Sequence, residues 1–200
     1  LTACFGTMMT TWSEPLTMQT IGLEAVTQAT PLGLAKQILK EGGDPEKAAR
    51  AGLAIELYHN WTLIHDDIID DDALRRGGET CHIMLSKGTV AQAISDRNVR
   101  AKFARDMAIL AGDILHGWSV NLLARSVHDG VDADVTTALL ARLTGWVTPE
   151  LISGEALDVE YAYAPDVELD AVETMLVMKT GVLLQFATEG PEQARVVNEP

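Results

Sequence analysis

The residues best suited to chemistry form a cluster of five aspartates, at positions 66, 67, 70, 71 and 72. Arg75-Arg76-Gly77 follow closely. In a helix, Asp66 and Asp70 would lie one turn apart on the same face. Carboxylates this close repel one another, so a cation is expected among them. Mg²⁺ suits the site because it binds carboxylate oxygens together with substrate phosphates. Arginine forks would hold the same phosphates, so the pattern predicts one wall of a site for a metal-bound polyanion.

A solvated acidic helix end, partly neutralised by Arg75 and Arg76, is the simpler alternative. Aspartates favour helix N-termini, however, because the macrodipole is positive there. This cluster follows a long apolar helical run and so lies at the unfavourable end, which favours a functional role. His59, seven residues before Asp66, falls on the same face and is a further candidate for the site. The alternative is a histidine that is buried in the core with its hydrogen bonds satisfied.

The residues before the cluster predict one long helix over 48–70. Asp44-Pro45-Glu46 is a good helix start, with an aspartate cap and a proline in the first position. Apolar side chains occupy nearly every face of the run, which indicates a central, buried helix. Gly77-Gly78 is expected to break the chain into a loop.

The rest of the chain predicts further helices and no strands, because no segment alternates in the manner of a half-buried strand. The predicted helices cover 16–30, 32–40, a short piece near 90–94, 101–128, a stretch from Asp132 or Asp134 to about Tyr161, and a stretch from Asp166 to about Glu189. Pro149 is expected to kink its helix because proline removes a backbone donor. Asp129-Gly130 predicts a turn. We therefore predict an all-α fold in a single domain over residues 1–200.

The composition disfavours several classes of function. Fifteen Lys and Arg stand against 29 Asp and Glu, a net charge of −14. Nucleic acids and anionic lipid surfaces bind basic faces, so neither is an expected partner. No uninterrupted apolar run approaches the ~20 residues of a membrane span, and no stable membrane insertion is expected. Cys4 and Cys81 are the only cysteines, which indicates no disulfide framework and favours the cytoplasm.

Four strings, taken in order, resemble motifs of the trans-isoprenyl diphosphate synthase (polyprenyl synthetase) family. L-I-H-D-D-I-I-D-D-D-A-L-R-R-G, ending at Gly77, is similar to the first aspartate-rich motif, D-D-x-x-D-x-x-x-x-R-R-G. A-G-D-I-L at 111–115, G-E-A-L-D at 154–158 and the Lys179-Thr180 pair follow. The resemblance implies an isoprenoid synthase-type helical bundle around a central cavity, usually as a homodimer. It also implies a Mg²⁺-dependent prenyltransferase that joins an allylic diphosphate to isopentenyl diphosphate, giving farnesyl or geranylgeranyl diphosphate.

The same resemblance implies roles for the residues around the first motif. Asp66 and Asp70 would be the leading metal ligands, with Asp67 supporting them. Arg75 would hold the allylic diphosphate. Arg76 and His59 would bind the isopentenyl diphosphate.

Residues of the other strings receive implied roles as well. Lys179 and Thr180 would contact the allylic diphosphate from the opposite wall. Asp158 would support the metal site or orient Lys179, and Glu155, where the family carries glutamine, adds a charge near the diphosphates. Trp61 would close the product cavity and so indicates a short product. Each role has a simpler alternative: a solvated charge for Lys179, an ordinary exposed acid for Asp158 and a core tryptophan for Trp61.

Two departures from the family keep three functions open. The basic element expected upstream is replaced by residues 25–30, which contain no Lys or Arg, and no second aspartate-rich motif follows the Lys179-Thr180 pair. The first function is a short-chain prenyl diphosphate synthase whose sequence is truncated or divergent at both ends. The second is an enzyme similar to class I terpene cyclases, which would ionise one allylic diphosphate. The third is a non-catalytic subunit of a heteromeric prenyl synthase.

Overall fold

The computed structural model describes residues 45–187, and the helices predicted over 16–30 and 32–40 lie outside them. Within the described range the protein is helical apart from one two-stranded hairpin and short connections, which confirms the predicted all-α class. These residues divide between two compact units: Leu57–Trp118 belongs to one, and residues 45–56 and 119–187 belong to the other. The single-domain organisation stays a prediction, and each unit is described by itself.

Helix α1 (Pro45–Ile69) begins at the proline of the predicted start signal and carries the aspartate cluster at its end. None of the residues from 51 to 68 is exposed, but most are half-buried, so the prediction of a fully buried helix is met only in part. The buried positions are Gly52, Ala54, Tyr58, Trp61 and Asp67. Its C-terminus closes in a left-handed turn: Asp71 has a φ of 56°, and the Asp72 N–H donates to the Asp67 carbonyl oxygen at 2.9 Å. This is the hydrogen bond of a Schellman cap, at a position where glycine is usual.

A small antiparallel hairpin follows α1, formed by β1 (Leu74–Arg75) and β2 (Gly78–Glu79) with Arg75 opposite Gly78. The turn residues Arg76 and Gly77 have φ values of 52° and 81°, as in the type I′ turns that match the twist of tight hairpins. The sequence predicts only a loop here, because strands of two residues are too short to show alternation.

Three helices complete this part of the chain: α2 (Cys81–Ser86), α3 (Thr89–Gln92) and α4 (Arg97–Ala124). Helix α3 corresponds to the short helix predicted near 90–94, whereas the sequence pattern contains no signal for α2. The predicted start of α4 at residue 101 is wrong because Asp96 is an N-cap. Its Oδ1 accepts from the N–H groups of Asn98 and Val99 at 2.8 and 3.1 Å.

Helix α4 passes into a 3₁₀ turn (Arg125–Asp129), and Gly130, with a φ of 79°, ends the segment where the Asp129-Gly130 signal predicts a turn. By length and composition alone, the stretch Arg97–Asp129 is apolar enough to cross a membrane. Its buried residues recur every three or four positions, as in a helix packed along one face within a protein. These residues are Ala104, Ala108, Ala111, Leu115, Ser119 and Leu123.

The next helical segment consists of α5 (Ala133–Arg142), a π-helical turn (Leu143–Val147) and α6 (Thr148–Tyr161). Asp132 is the cap of α5, because its side chain accepts hydrogen bonds from the backbone N–H groups of Asp134 and Val135. The widened turn lies immediately before Pro149, where the sequence predicts a disturbed helix.

The last described segment is α7 (Leu169–Leu176), which continues through a second π-helical turn (Val177–Gly181) into helix over 182–187. The prediction that Asp166 caps this segment is wrong. The backbone is still extended at Glu168, which occupies the cap position and makes no side-chain cap hydrogen bond. Asp166 therefore lies too early in the chain to reach the first N–H groups of the helix.

Gly154 of α6 lies directly against the second π-helical turn. A Cβ atom added at this position would lie 2.3 Å from the Lys179 nitrogen and 2.7 Å from the Met178 carbonyl carbon. Both neighbours are backbone atoms, which cannot swing away as the end of a flexible side chain can. The absence of a side chain at Gly154 therefore permits the close contact that brings Lys179 beside α6.

We expect Gly154→Ala to lower the free energy of unfolding by about 2–3 kcal/mol, because the added methyl forces the backbone of the π-helical turn to move. Urea unfolding measures this change. Gly117→Ala in α4 is the matched control: its added Cβ meets no atom within 4 Å, so the better helix propensity of alanine should stabilise by about 0.5–1 kcal/mol. Equal stability of the two variants would contradict the close packing.

Candidate functional site

The aspartate cluster divides into two parts at the end of α1. Asp66 and Asp67 are largely buried, with 15% and 6% of their side chains exposed. Asp70, Asp71 and Asp72 are exposed. Buried carboxylates need a partner of opposite charge, because removing an unpaired charge from water is costly.

Arg75 is that partner, and the hairpin brings it back onto α1. Its Nη2 donates to Asp66 Oδ2 and its Nε donates to Asp67 Oδ1, both at 2.5 Å. Burial by itself lowers the pKa of the Arg75 guanidinium, but the hydrogen bonds and charges of Asp67 and Asp66 outweigh it, so the pKa is raised. Arg75 is therefore a fixed cation that joins the two carboxylates.

The donor set at this point is suited to Mg²⁺. Asp66 and Asp67 supply carboxylate oxygens, the ligand type that Mg²⁺ prefers. Both carboxylates contact the guanidinium of Arg75, so they point toward the same positive charge. Among residues 45–187, no group of three or more His, Cys, Asp or Glu side chains is close enough to hold a metal ion. The predicted trio of Asp66, Asp67 and Asp70 is therefore not gathered around one point, and Asp70 remains outside the pair.

The two residues predicted to bind the isopentenyl diphosphate differ in exposure. Arg76 is exposed in the hairpin turn, whereas His59 is half-buried within α1. The carbonyl oxygen of His59 accepts a hydrogen bond from Thr62 Oγ1 at 2.7 Å.

Trp61 lies in a cluster of aromatic rings formed by α1 and α4. The ring centroid of Trp61 is 5.0 Å from that of Tyr58 and 4.3 Å from that of His116. Trp61 is 9% exposed and Tyr58 is fully buried. Within the described part of the chain, Trp61 Nε1 and His116 Nε2 are buried without a hydrogen-bond partner.

His65 and Gly112 are further contacts of this cluster, and neither was predicted from the sequence. A Cβ atom at Gly112 would lie 2.6 Å from His65 Nε2, so glycine is needed for the imidazole to approach α4. His65 Nε2 lies 3.3 Å from the Ile109 carbonyl oxygen and 3.6 Å from Asp113 Oδ1. The available signal was spacing: Trp61 and His65 on α1, and Gly112 and His116 on α4, are each four residues apart and so share a helix face.

The second group of predicted residues centres on Lys179, in the other unit. Its Nζ lies 2.5 Å from Asp158 Oδ2 and 3.0 Å from Glu155 Oε2, and only 19% of the lysine side chain is exposed. Thr180, the next residue, is exposed. The π-helical turn that carries Lys179 is a local distortion often found at functional sites, and here it directs an ammonium group onto the carboxylates of α6.

Burial lowers the pKa of His116; the nearby His65 lowers it further, while Asp113 opposes the shift. We expect the free energy of unfolding to fall with acidification below about pH 6.5, the ordinary histidine pKa. The unfolded state binds more protons in this window, so the stability present at higher pH is lost as the pH falls through the folded-state pKa.

His116→Phe should flatten this dependence, since phenylalanine keeps an aromatic ring against Trp61 but cannot be protonated. Urea unfolding between about pH 5 and pH 8 provides the comparison. His128→Gln, at an exposed histidine, is the control and should retain the wild-type loss of stability in acid. If the free energy of unfolding falls equally with pH in wild type and His116→Phe, the loss of stability in acid is not due to His116.

Comparison with known proteins finds a family model and relatives that are similar to this chain. The family model described as polyprenyl synthetase matches residues 30–192. The geranylgeranyl diphosphate synthase of Saccharolobus solfataricus is 35% identical over 154 residues, which cover 76% of this chain and 40% of that protein. The farnesyl diphosphate synthase of Geobacillus stearothermophilus is 31% identical over 160 residues, which cover 78% of this chain and 48% of that protein.

Solved structures of similar proteins agree. The geranylgeranyl pyrophosphate synthetase of Geoglobus acetivorans matches with a TM-score of 0.61 and 29% identity, covering 84% of this chain and 54% of that one. The FPP/GFPP synthase of Zymomonas mobilis matches with a TM-score of 0.64 and 28% identity, covering 82% and 54%. The chain thus spans about half or less of the length of these relatives. With a family model that matches most of its residues, this chain belongs to the polyprenyl synthetase family.

Proposed function

We propose that this chain is a short-chain trans-prenyltransferase that ionises an allylic diphosphate and joins the allylic group to isopentenyl diphosphate. The observation that carries the proposal is the bridge from Arg75 to Asp66 and Asp67 at the end of a buried helix. This bridge brings two carboxylates and one bidentate cation together, which supports the proposal because a metal needs the first and a phosphate the second. Membership of the polyprenyl synthetase family supports the same substrate class.

The proposed reaction breaks the allylic C–O bond, and pyrophosphate leaves with the bonding electrons. The double bond of isopentenyl diphosphate then attacks the allylic cation. The resulting tertiary cation loses a proton to the released pyrophosphate, which forms the new double bond. Mg²⁺, held by Asp66 and Asp67, would supply charge that stabilises the departing pyrophosphate. Asp70, proposed as a further ligand, would have to move toward this pair. Arg75 would bind the same phosphates, because a guanidinium fork matches their geometry.

Lys179 is proposed to act on the allylic diphosphate, with Thr180 beside it. Its ion pairs with Asp158 and Glu155 hold the ammonium group in one place in the free protein. A cation fixed before the reaction stabilises developing negative charge without having to reorganise. Arg76 and His59 are proposed to bind the isopentenyl diphosphate.

Trp61 is proposed to limit the length of the product. Its ring is buried against Tyr58 and His116, so it is held by packing on both sides. A wall fixed in this way would stop a growing prenyl chain at farnesyl or geranylgeranyl length. We further propose that the protein acts as a homodimer in the cytoplasm.

Product analysis tests the function. The full chain is incubated with Mg²⁺ and dimethylallyl, geranyl or farnesyl diphosphate, with and without isopentenyl diphosphate. We expect longer diphosphates only when isopentenyl diphosphate is present. Hydrocarbon or alcohol formed from one substrate alone would support the cyclase-like alternative instead. The absence of turnover in folded protein would support the non-catalytic subunit.

The variant Asp66→Asn shows whether turnover depends on the proposed site. We expect kcat to fall about 10²–10³-fold, the effect of removing one group that stabilises developing charge. Asp106→Asn is the matched control, since Asp106 lies in α4 and pairs with Lys102 in an exposed ion pair. Its turnover should equal that of wild type, and an equal loss in both variants would contradict a specific role for Asp66.

A further inference from the structure

The hairpin that carries Arg75 is too short to hold itself in place. Each of its strands has two residues, and isolated two-stranded hairpins are marginal in water even when they are longer. Leu74, Arg76, Gly78 and Glu79 are all exposed, so the hairpin buries little apolar surface. Something outside the hairpin must fix its position on α1.

Thr80, the residue directly after the hairpin, makes two hydrogen bonds to its base. Its N–H donates to the Ala73 carbonyl oxygen at 3.1 Å. Its Oγ1 donates to the Asp72 carbonyl oxygen at 2.7 Å. Thr80 is 3% exposed, so the donor groups of both bonds are buried.

The hydroxyl of Thr80 is diverted from its ordinary use. Thr80 is the N-cap residue of α2, where a threonine side chain normally accepts from the first free N–H groups of the helix. Here it makes no side-chain cap hydrogen bond. Because the threonine hydroxyl does not cap its own helix, we infer that it is used for another contact. That contact is the hydrogen bond to the Asp72 carbonyl oxygen.

The backbone of Asp72 links the base of the hairpin to Asp67, the residue that carries the buried carboxylate. Its carbonyl oxygen accepts from Thr80 Oγ1, while its N–H donates to the Asp67 carbonyl oxygen at 2.9 Å. Asp67 in turn accepts from Arg75 Nε. The two bonds reach Asp67 at different atoms, the backbone carbonyl oxygen for Asp72 N–H and the side-chain Oδ1 for Arg75 Nε. Thr80 is therefore connected to Arg75 through the residues Asp72 and Asp67.

His82 supports the Thr80 hydroxyl from the other side. Its Nδ1 lies 3.4 Å from Thr80 Oγ1, and the residue is 4% exposed. Because the single hydroxyl proton of Thr80 goes to Asp72, we assign the proton of the imidazole to Nδ1, which donates to Oγ1. The hydroxyl then has both a donor and an acceptor, which fixes its direction.

We propose that Thr80, oriented by His82, is a positioning residue that holds the Arg75 hairpin where the arginine meets the allylic diphosphate. The proposal rests on the proposed function, and it adds a specific cause for the placement of the arginine. Thr80 touches no reacting group, so its effect appears as weaker substrate binding more than as slower chemistry.

The test compares Thr80→Val, which removes the hydroxyl at nearly constant volume, with Thr80→Ser, which keeps it. We expect Thr80→Val to raise the KM for the allylic diphosphate about tenfold, because one hydrogen bond of a buried hydroxyl is lost. The change in kcat should be smaller. Thr80→Ser should restore KM to within about twofold of wild type. Thr144→Val, which removes an exposed hydroxyl bonded to the Leu140 carbonyl oxygen at 2.8 Å, should change neither constant.

A second readout needs no turnover. In the free protein, the ¹⁵N NMR signal of the Arg75 Nε–H, identified by its loss in Arg75→Lys, should be protected from solvent exchange in wild type and Thr80→Ser. In Thr80→Val it should exchange rapidly. If wild type makes no product, the proposed function fails, while this comparison still decides whether Thr80 holds Arg75.

His82→Leu covers the case in which Thr80→Val does not fold. It removes the donor to the hydroxyl and should raise the same KM and the Nε–H exchange rate, each about threefold. A folded Thr80→Val with wild-type KM and a protected signal overturns the proposal, as does a folded His82→Leu with both values unchanged.

Discussion

The bridge from Arg75 to Asp66 and Asp67 is the interaction on which the described part of the site depends. Two consecutive aspartates at the C-terminal end of a helix face each other's charge and the negative end of the helix dipole. Burying Asp67, with 6% of its side chain exposed, adds a desolvation cost that only a close cation offsets. The Schellman turn, the I′ hairpin and the Thr80 contacts all return Arg75 to this point. The segment between α1 and α2 thus meets the charge requirement of the two aspartates.

The same requirement connects the structure with the proposed chemistry. A pair of carboxylates that accepts a guanidinium in the free protein has the charge and ligand type for a divalent cation. In the proposed reaction Asp66 and Asp67 would hold Mg²⁺, and Arg75 would bind the phosphates of the substrate. Lys179 is held in a similar way, between Glu155 and Asp158. Each cation proposed to meet the diphosphate is therefore already fixed by carboxylates.

The sequence predicted those features that depend on local patterns. Helix α1 followed from apolar residues on nearly every face after Asp44-Pro45, and none of its residues from 51 to 68 is exposed. The hairpin, helix α2 and the Asp96 cap were missed, because very short elements show no periodicity and several residue types compete as caps. The contact between Lys179 and Glu155 depends on the close approach at Gly154, which is set by packing between distant segments. The motifs identified the charged residues, but the carboxylate that each cation binds is a matter of tertiary geometry.

The most direct test of the account is Mg²⁺ binding to the free protein, measured by isothermal titration calorimetry in wild type and Arg75→Gln. If Arg75 occupies the carboxylates that bind the metal, its removal should tighten Mg²⁺ binding by about tenfold or more, because a competing charge is lost. Arg105→Gln is the control, since Arg105 lies 4.0 Å from the exposed Asp71 and does not contact Asp66 or Asp67. A Mg²⁺ dissociation constant that is unchanged in Arg75→Gln, or changed equally in Arg105→Gln, would contradict the use of Asp66 and Asp67 as shared ligands of Arg75 and Mg²⁺.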